Sequence, residues 1–245
     1  MEAAYFFLLA VAPGIFWMFY FYHKDRCKPE PLSMITLLFI LGILVTIPAA
    51  LIENVFSFVL LETSFFGIFL LYPADLLTNA VEFTLVVVGA PVIEESFKFL
   101  GVERTVYRST VFDEPIDGII YGTAVALGFA TLENVLYVFS ALMISVPVAV
   151  GTGIVRAVLS VPGHALFAIM WGYALGHAKF MPQSQKRTGV IFGGLLLAMF
   201  FHGVFNFLVL TSIGTALLIF LVVPLLWWLA GKRIDSALRE CHYRP

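Results

Sequence analysis

Ala90-Pro91-Val92-Ile93-Glu94-Glu95-Ser96-Phe97-Lys98 puts two adjacent carboxylates, and a lysine one turn on, in the middle of an apolar run. Hydrocarbon does not solvate an ion, so charges at membrane depth are paired, neutralised or used. The rest of the chain supports a membrane setting. Of its 245 residues, 61% are hydrophobic and 12% charged, and the mean hydropathy is +0.98. A soluble domain carries about a quarter charged residues, so this composition belongs to the membrane class. The formal net charge of -2 argues against nucleic acid or any polyanionic partner. Cys27 and Cys241 lie in polar flanks, with neither metal-ligand spacing nor a disulfide framework. Met1 to Tyr22 lacks a basic n-region and a cleavage site and is long enough to span, so it reads as a retained helix.

Polar punctuation divides the chain into seven apolar segments, at 3–22, 33–60, 75–102, 116–142, 148–179, 188–210 and 213–231. Each can cross about 30 Å of hydrocarbon. Lys24, Arg26 and Lys28 mark the first connection, Arg104 and Arg108 the third, and Lys179, Lys186 and Arg187 the fifth. The tail is basic as well, whereas the amino terminus and the connections near 61–74, 143–147 and 211–212 have no lysine or arginine. Basic residues mark the cytosolic side, so the amino end is expected outside and the carboxyl end in the cytosol. The expected fold is an all-α polytopic helix bundle of about seven (7–8) transmembrane helices in the cell membrane. One integral-membrane domain, 1–245, is expected, with a catalytic core at about 75–210. Two segments leave the count at seven or eight: 64–72 is too short to span, and Pro162 should break the long stretch 148–179. Both are candidates for an access gate.

The polar residues at depth converge on one layer. Lys98 follows Glu94 at i+4 and Glu95 at i+3, positions that share a helix face. Glu133-Asn134 lies inside the fourth segment, and His164 follows the Pro162-Gly163 break in the fifth. His202 and Asn206 are four apart in the sixth and face the same way. His164 and His202 each fall about 21–23 Å from the cytosolic side at the helical rise. Isolated histidines and asparagines often do no more than bond neighbouring helices, at about 0.6 kcal/mol each. The glutamate pair resists that reading, because Lys98 offsets one charge and leaves the second acid without a partner. An acid and a base held together are what hydrolysis by activated water requires. His202 and Asn206 would supply donors to a developing oxyanion. Arg156 is placed to pair with Glu133.

The same residues have two other uses. Glu94, Glu95, His164 and His202 are acceptable zinc ligands, although no H-E-x-x-H is present. Intramembrane acids and histidines also build proton relays, so a transporter, or a scaffold that binds helices without cutting, is the rival class. Glu53 and Glu82 read as helix contacts, with the border of a water-filled cavity as the alternative, Glu62 and Asp75 as outer-face groups, and the tryptophans, Trp171 included, as packing and interfacial residues. The glycines read as sites of close helix approach.

In order and spacing the motifs resemble the PrsW family of intramembrane proteases. Glu94-Glu95-x-x-Lys98 is similar to its first signature. Asp117-Gly118 through Tyr121-Gly122 to Gly128-Phe129-Ala130-Thr131-Leu132-Glu133-Asn134 resembles the second. Pro162-Gly163-His164-Ala165 and His202-Gly203-Val204-Phe205-Asn206-Phe207 resemble the third and fourth, and Lys28-Pro29-Glu30-Pro31 looks like a further family feature. The family is related to the CAAX-prenyl-type glutamic membrane proteases, whose second motif ends in histidine where this chain has Glu133. The resemblance implies a peptidase without a cofactor, zinc being the alternative. It implies that Glu94 activates water, Glu95 assists, His202 and Asn206 bind the oxyanion and His164 lines the cavity, with Lys98, Glu133, Asn134 and Arg156 in support. The implied partner is a membrane-anchored protein substrate, in the manner of site-1 cleavage of an anti-sigma factor.

Overall fold

The computed structural model describes residues 2–68, 80, 83–182, 186–210 and 212–241, and among them every regular element is helical. The helices are α1 (Glu2–Tyr22), α2 (Leu32–Ile68), α3 (Ala90–Thr105), α4 (Asp117–Leu142), α5 (Val146–Val155), α6 (Val161–Phe180), α7 (Arg187–Val209), α8 (Ser212–Leu217) and α9 (Val223–Arg239). In hydrocarbon each main-chain donor must be satisfied within its own segment, which leaves the helix as the form for such apolar runs. Among the described residues, six helical stretches are long and apolar enough to cross a membrane: α1, the first part of α2, α4, α5 with α6, α7, and the stretch from Ile213 to Arg239. The segment ending in α3 is the seventh of the expected series. Part of the short stretch 64–72 belongs to α2, which runs on to Ile68, while 69–72, Asp75 and Glu82 lie outside the described residues.

Among the described residues three helices widen by one residue, each just before a proline. Five-residue π-turns at Leu85–Gly89, Arg156–Ser160 and Leu218–Val222 precede Pro91, Pro162 and Pro224. A proline ring clashes with the carbonyl four residues back, and an inserted residue relieves the crowding. The widening strands a carbonyl. Ala90 N–H reaches back to Leu85, and the next ring position, Pro91, has no N–H for Val86. The Asn206 amide fills that vacancy, donating to Val86 O at 2.9 Å. Likewise Val161 N–H returns to Arg156, and the Trp17 indole donates to Ala157 O at 3.0 Å. The expected Pro162 break is thus a change of register inside one continuous helical path, 146–180.

The bundle is layered around α4 and α6, which pack on each other; α2 and α1 cover α4, and α7 covers α6. Over half of the apolar window in α4 and in α5–α6 is buried, 56% and 61%, against 22–28% in the other four. The outer helices present large apolar side chains such as Phe16, Leu51 and Phe200. A face that has no core to pack against is a face for lipid. Close approach at the centre requires glycine: a Cβ on Gly118 would lie 2.2 Å from the Gly172 carbonyl, and one on Gly176 2.0 Å from that of Pro115.

The cysteines correct the sequence reading. Cys27, in the loop after α1, and Cys241, beyond α9, form a disulfide across 214 residues of chain. Their spacing carried no sign of this because the contact is made by packing of the first and last helices, not by a local motif.

Candidate active site

Lys98 stands at the centre of the polar layer, fully buried on α3. An ammonium has three N–H donors, and each has an acceptor. They are Glu94 Oε2 at 3.0 Å, Glu95 Oε1 at 2.9 Å and His164 Nδ1 at 2.9 Å. The Phe129 ring of α4 lies under the ammonium, 4.2 Å from its centroid. One side chain therefore joins α3 to α6 and rests on α4.

Glu95 is the most fully held of the acids. Beyond Lys98 it receives the His202 ring at Oε1, 3.1 Å from Nδ1, and the Trp171 indole at Oε2, 3.0 Å away. The expectation that charge counting leaves one glutamate without a partner is thus revised: Lys98 serves both. The tryptophan had been read as packing alone. The signal for it was its place seven residues after His164, two turns along the same face of α6. Glu94 is held differently, since among the described residues its polar contacts all fall on Oε2: Lys98, His164 Nδ1 at 3.7 Å and His202 Nε2 at 4.0 Å.

These bonds set the ring protons. His164 Nδ1 accepts from an ammonium that can only donate, so the proton sits on Nε2, which bonds Glu133 Oε2 at 2.9 Å. Glu133 Oε2 also pairs with Arg156 Nη2 at 2.9 Å, the partnership expected from sequence. Arg156 further donates to Asn134 Oδ1 at 3.0 Å and lies over the Tyr137 ring, while the Asn134 amide anchors α4 to Ala10 O of α1. His202 Nδ1 meets a carboxylate and is the donor there, which leaves Nε2 on the Glu94 side. Phe167 stacks on the His202 ring at 4.7 Å and fixes its plane.

A cavity of about 510 Å³ opens beside this group, lined by Glu94, Glu133, His164, His202 and Asn206 among others. Asn206 shares the cavity but stands apart from the Lys98 cluster, with one amide hydrogen committed to Val86 O. Glu53 of α2 is also on the wall, electrostatically close to Glu94 and Glu133, with its buried Oε1 lacking a hydrogen-bond partner among the described residues. Of the two readings its sequence allowed, helix contact or cavity border, the structure favours the border.

The order of motifs now has a geometric counterpart, with four signatures on four helices meeting around one cavity. The profile described as "PrsW family intramembrane metalloprotease" matches residues 30–229. The chain belongs to the PrsW family. It is 35% identical over 227 residues to Protease PrsW of Geobacillus kaustophilus, covering 93% of this chain and 89% of the relative. It is 34% identical over 222 residues to Protease PrsW of Clostridioides difficile, covering 91% and 86%, and 32% identical over 234 residues to that of Bacillus subtilis, covering 93% of each. No solved structure matches. As a PrsW member the chain is a peptidase and a multi-pass membrane protein.

The family description includes a metal. By donor type the residues fit: Glu94, Glu95, His164 and His202 each bring a ligand atom, all within 4.8 Å of one another, and carboxylate with imidazole is a zinc set. Glu94, His164 and His202 would hold the ion, which when bound supplies a polarised water. Lys98 donates to His164 Nδ1, so an ion bound at that nitrogen would displace the ammonium there, whereas Glu94 would offer Oε1 with its bond to Lys98 kept.

Proposed function

We propose that the chain is an intramembrane endopeptidase that hydrolyses a peptide bond of a membrane-anchored protein with water activated by Glu94. The observation that supports this reading is the unequal holding of the two acids. Glu95 has both oxygens committed to Lys98, His202 and Trp171. Glu94 is tied only through Oε2 and borders the cavity, so Oε1 is the oxygen for water. Glu94 takes a proton from that water, and the hydroxide oxygen bonds to the substrate carbonyl carbon. The carbonyl electron pair moves to oxygen as an oxyanion. Collapse reforms the carbonyl and breaks the C–N bond, and the proton held by Glu94 passes to the leaving amine.

His202, whose Nε2 lies on the Glu94 side of the cavity, is the ring placed to face the oxyanion. The second amide hydrogen of Asn206 is available from the other side of the cavity. His164 stays neutral and connects the catalytic group to the Glu133–Arg156 pair. Working residues thus fall in about 75–210, within one domain. A substrate helix keeps its amides bonded in hydrocarbon and must unwind locally before attack. Membrane-anchored anti-sigma factors, cut at the first site of a regulatory cascade, are the substrate class proposed.

The test is Glu94→Gln in purified, folded protein, with cleavage of a membrane substrate followed directly and membrane-anchored fragments compared by proteomics. Turnover is expected to fall at least a thousandfold, on the order of what loss of a general base costs. Unchanged turnover would remove the glutamate mechanism. The family description favours a second reading, in which zinc activates the water. Elemental analysis with chelation separates the two: one tightly held zinc per chain, with activity lost on its removal and restored on its return, supports zinc.

A further inference from the structure

Far from the catalytic group, three carboxylates from distant parts of the sequence meet at the basic-residue end of the bundle. Asp25 and Glu30 come from the loop between α1 and α2, and Asp117 opens α4. Asp117 precedes Glu133 by 16 residues, about 24 Å along the same helix. All three acids are buried, and one oxygen of each lies within 4.8 Å of those of the others. Neither the peptidase mechanism nor its supporting pairs use them, although Glu30 and Asp117 both fall in the motifs that the sequence analysis singled out.

The surrounding bonds hold one side of each carboxylate. Asp25 Oδ1 accepts from Cys27 N at 3.0 Å. Asp117 Oδ2 accepts from the main-chain N–H groups of Asp113 and Glu114, both at 2.7 Å. Glu30 Oε2 accepts the Tyr121 hydroxyl. Asp25 Oδ2 and Asp117 Oδ1 are buried and have no hydrogen-bond partner among the described residues. Of the nearby cations, Lys28 pairs with Asp113, and the Lys179 ammonium is held by the carbonyls of Tyr107, Ser109 and Phe112.

We propose that Asp25, Glu30 and Asp117 bind a hard divalent cation of the magnesium and manganese class, which ties the first loop to the foot of α4. An all-carboxylate set selects such ions over zinc or copper, and magnesium keeps part of its water shell, so three protein ligands suffice. The orphaned oxygens of Asp25 and Asp117 are its ligands, and their other oxygens are already positioned by the main chain. The site does not depend on the peptidase reading.

The test is a titration of the full chain, purified in detergent and stripped with chelator, with Mn²⁺ followed by electron paramagnetic resonance. One manganese per chain is expected, displaced by Mg²⁺ and accompanied by a higher unfolding temperature. Asp25→Asn and Glu30→Gln should each weaken binding about tenfold or more, whereas Glu94→Gln, at the catalytic cavity, should bind as the unaltered chain does. The unaltered chain alone decides if a variant does not fold. No saturable Mn²⁺ binding would overturn the proposal and leave the acids balanced by protons. So would binding lost in Glu94→Gln but kept in Glu30→Gln.

Discussion

The indole nitrogen of Trp171 donates to Glu95 Oε2 at 3.0 Å, two helical turns from His164, so one face of α6 touches both acids' network. Trp171→Phe keeps most of the ring and removes the donor. A hydrogen bond to a buried charge is worth about 1.5–3 kcal/mol, and most of that loss should appear as lower stability and a misplaced Glu95. Turnover is expected to fall about tenfold with the substrate KM little changed. An unaltered kcat in folded Trp171→Phe would show that Lys98 and His202 hold Glu95 without the indole.

Lys98 connects three acceptors and has no donor left over. Lys98→Met removes the cation and leaves two buried carboxylates facing each other. Breaking a buried pair from one side costs about 3–5 kcal/mol, so the unfolding temperature in detergent should drop well below that of the unaltered chain. Lys98→Arg keeps the charge but replaces a tripod with a planar fork, so it should restore part of the stability and little of the activity. Equal activity in the arginine chain would mean that charge alone matters at this position.

Asn206 satisfies the carbonyl that the π-turn before Pro91 leaves open. Asn206→Asp has the same shape but no donor, and it sets a carboxylate against a carbonyl oxygen. Loss of a donor at an oxyanion site costs on the order of a hundredfold in kcat. Asn206→Ala should lose activity to a similar extent, and stability by less, since it removes the repulsion. If Asn206→Ala retained full turnover, the residue would be only a cap for α7 against the π-turn.

The carboxyls of Asp25 and Glu30 stand above their ordinary values of 3.8 and 4.5, chiefly through burial. Each raised group contributes stability that is fully present below its ordinary value and is lost as pH rises through the folded-state value. The chelated chain should therefore unfold at lower temperature as pH rises from about 4, each group's share ending once pH passes its raised folded-state value. Glu30→Gln, neutral throughout, should flatten part of that slope. A slope of the opposite sign would contradict the burial of these acids.

Much of the site was legible in the sequence because charge is conspicuous in hydrocarbon. Glu94, Glu95, Lys98, His164, His202 and the Arg156–Glu133 pair were all visible as ionisable groups in apolar runs. The bond of Trp171 was not, and Glu53 was visible only as one of two readings, helix contact or cavity border. An indole in an apolar helix looks like packing whether or not its N–H has a charged partner, and an acid on α2 shows its target only once the neighbours are placed. The spans were legible from apolar length, but the π-turns were not, since their cause is a proline whose effect falls on the residues before it. The Cys27–Cys241 link was hidden for a related reason, being fixed by tertiary packing alone.

The π-turn before Pro162 has a consequence for how this chain tolerates change. Each inserted residue turns everything on one side of it by about 100° relative to everything on the other. His164 faces the cavity, while the preceding part of its helical path, Val146–Val155, keeps its own lipid and core faces, because of that offset. Deleting a single residue from Arg156–Ser160 would restore an ordinary helix and swing the two parts out of phase. There the number of residues, more than their identity, keeps the cavity face and the membrane face in their separate directions.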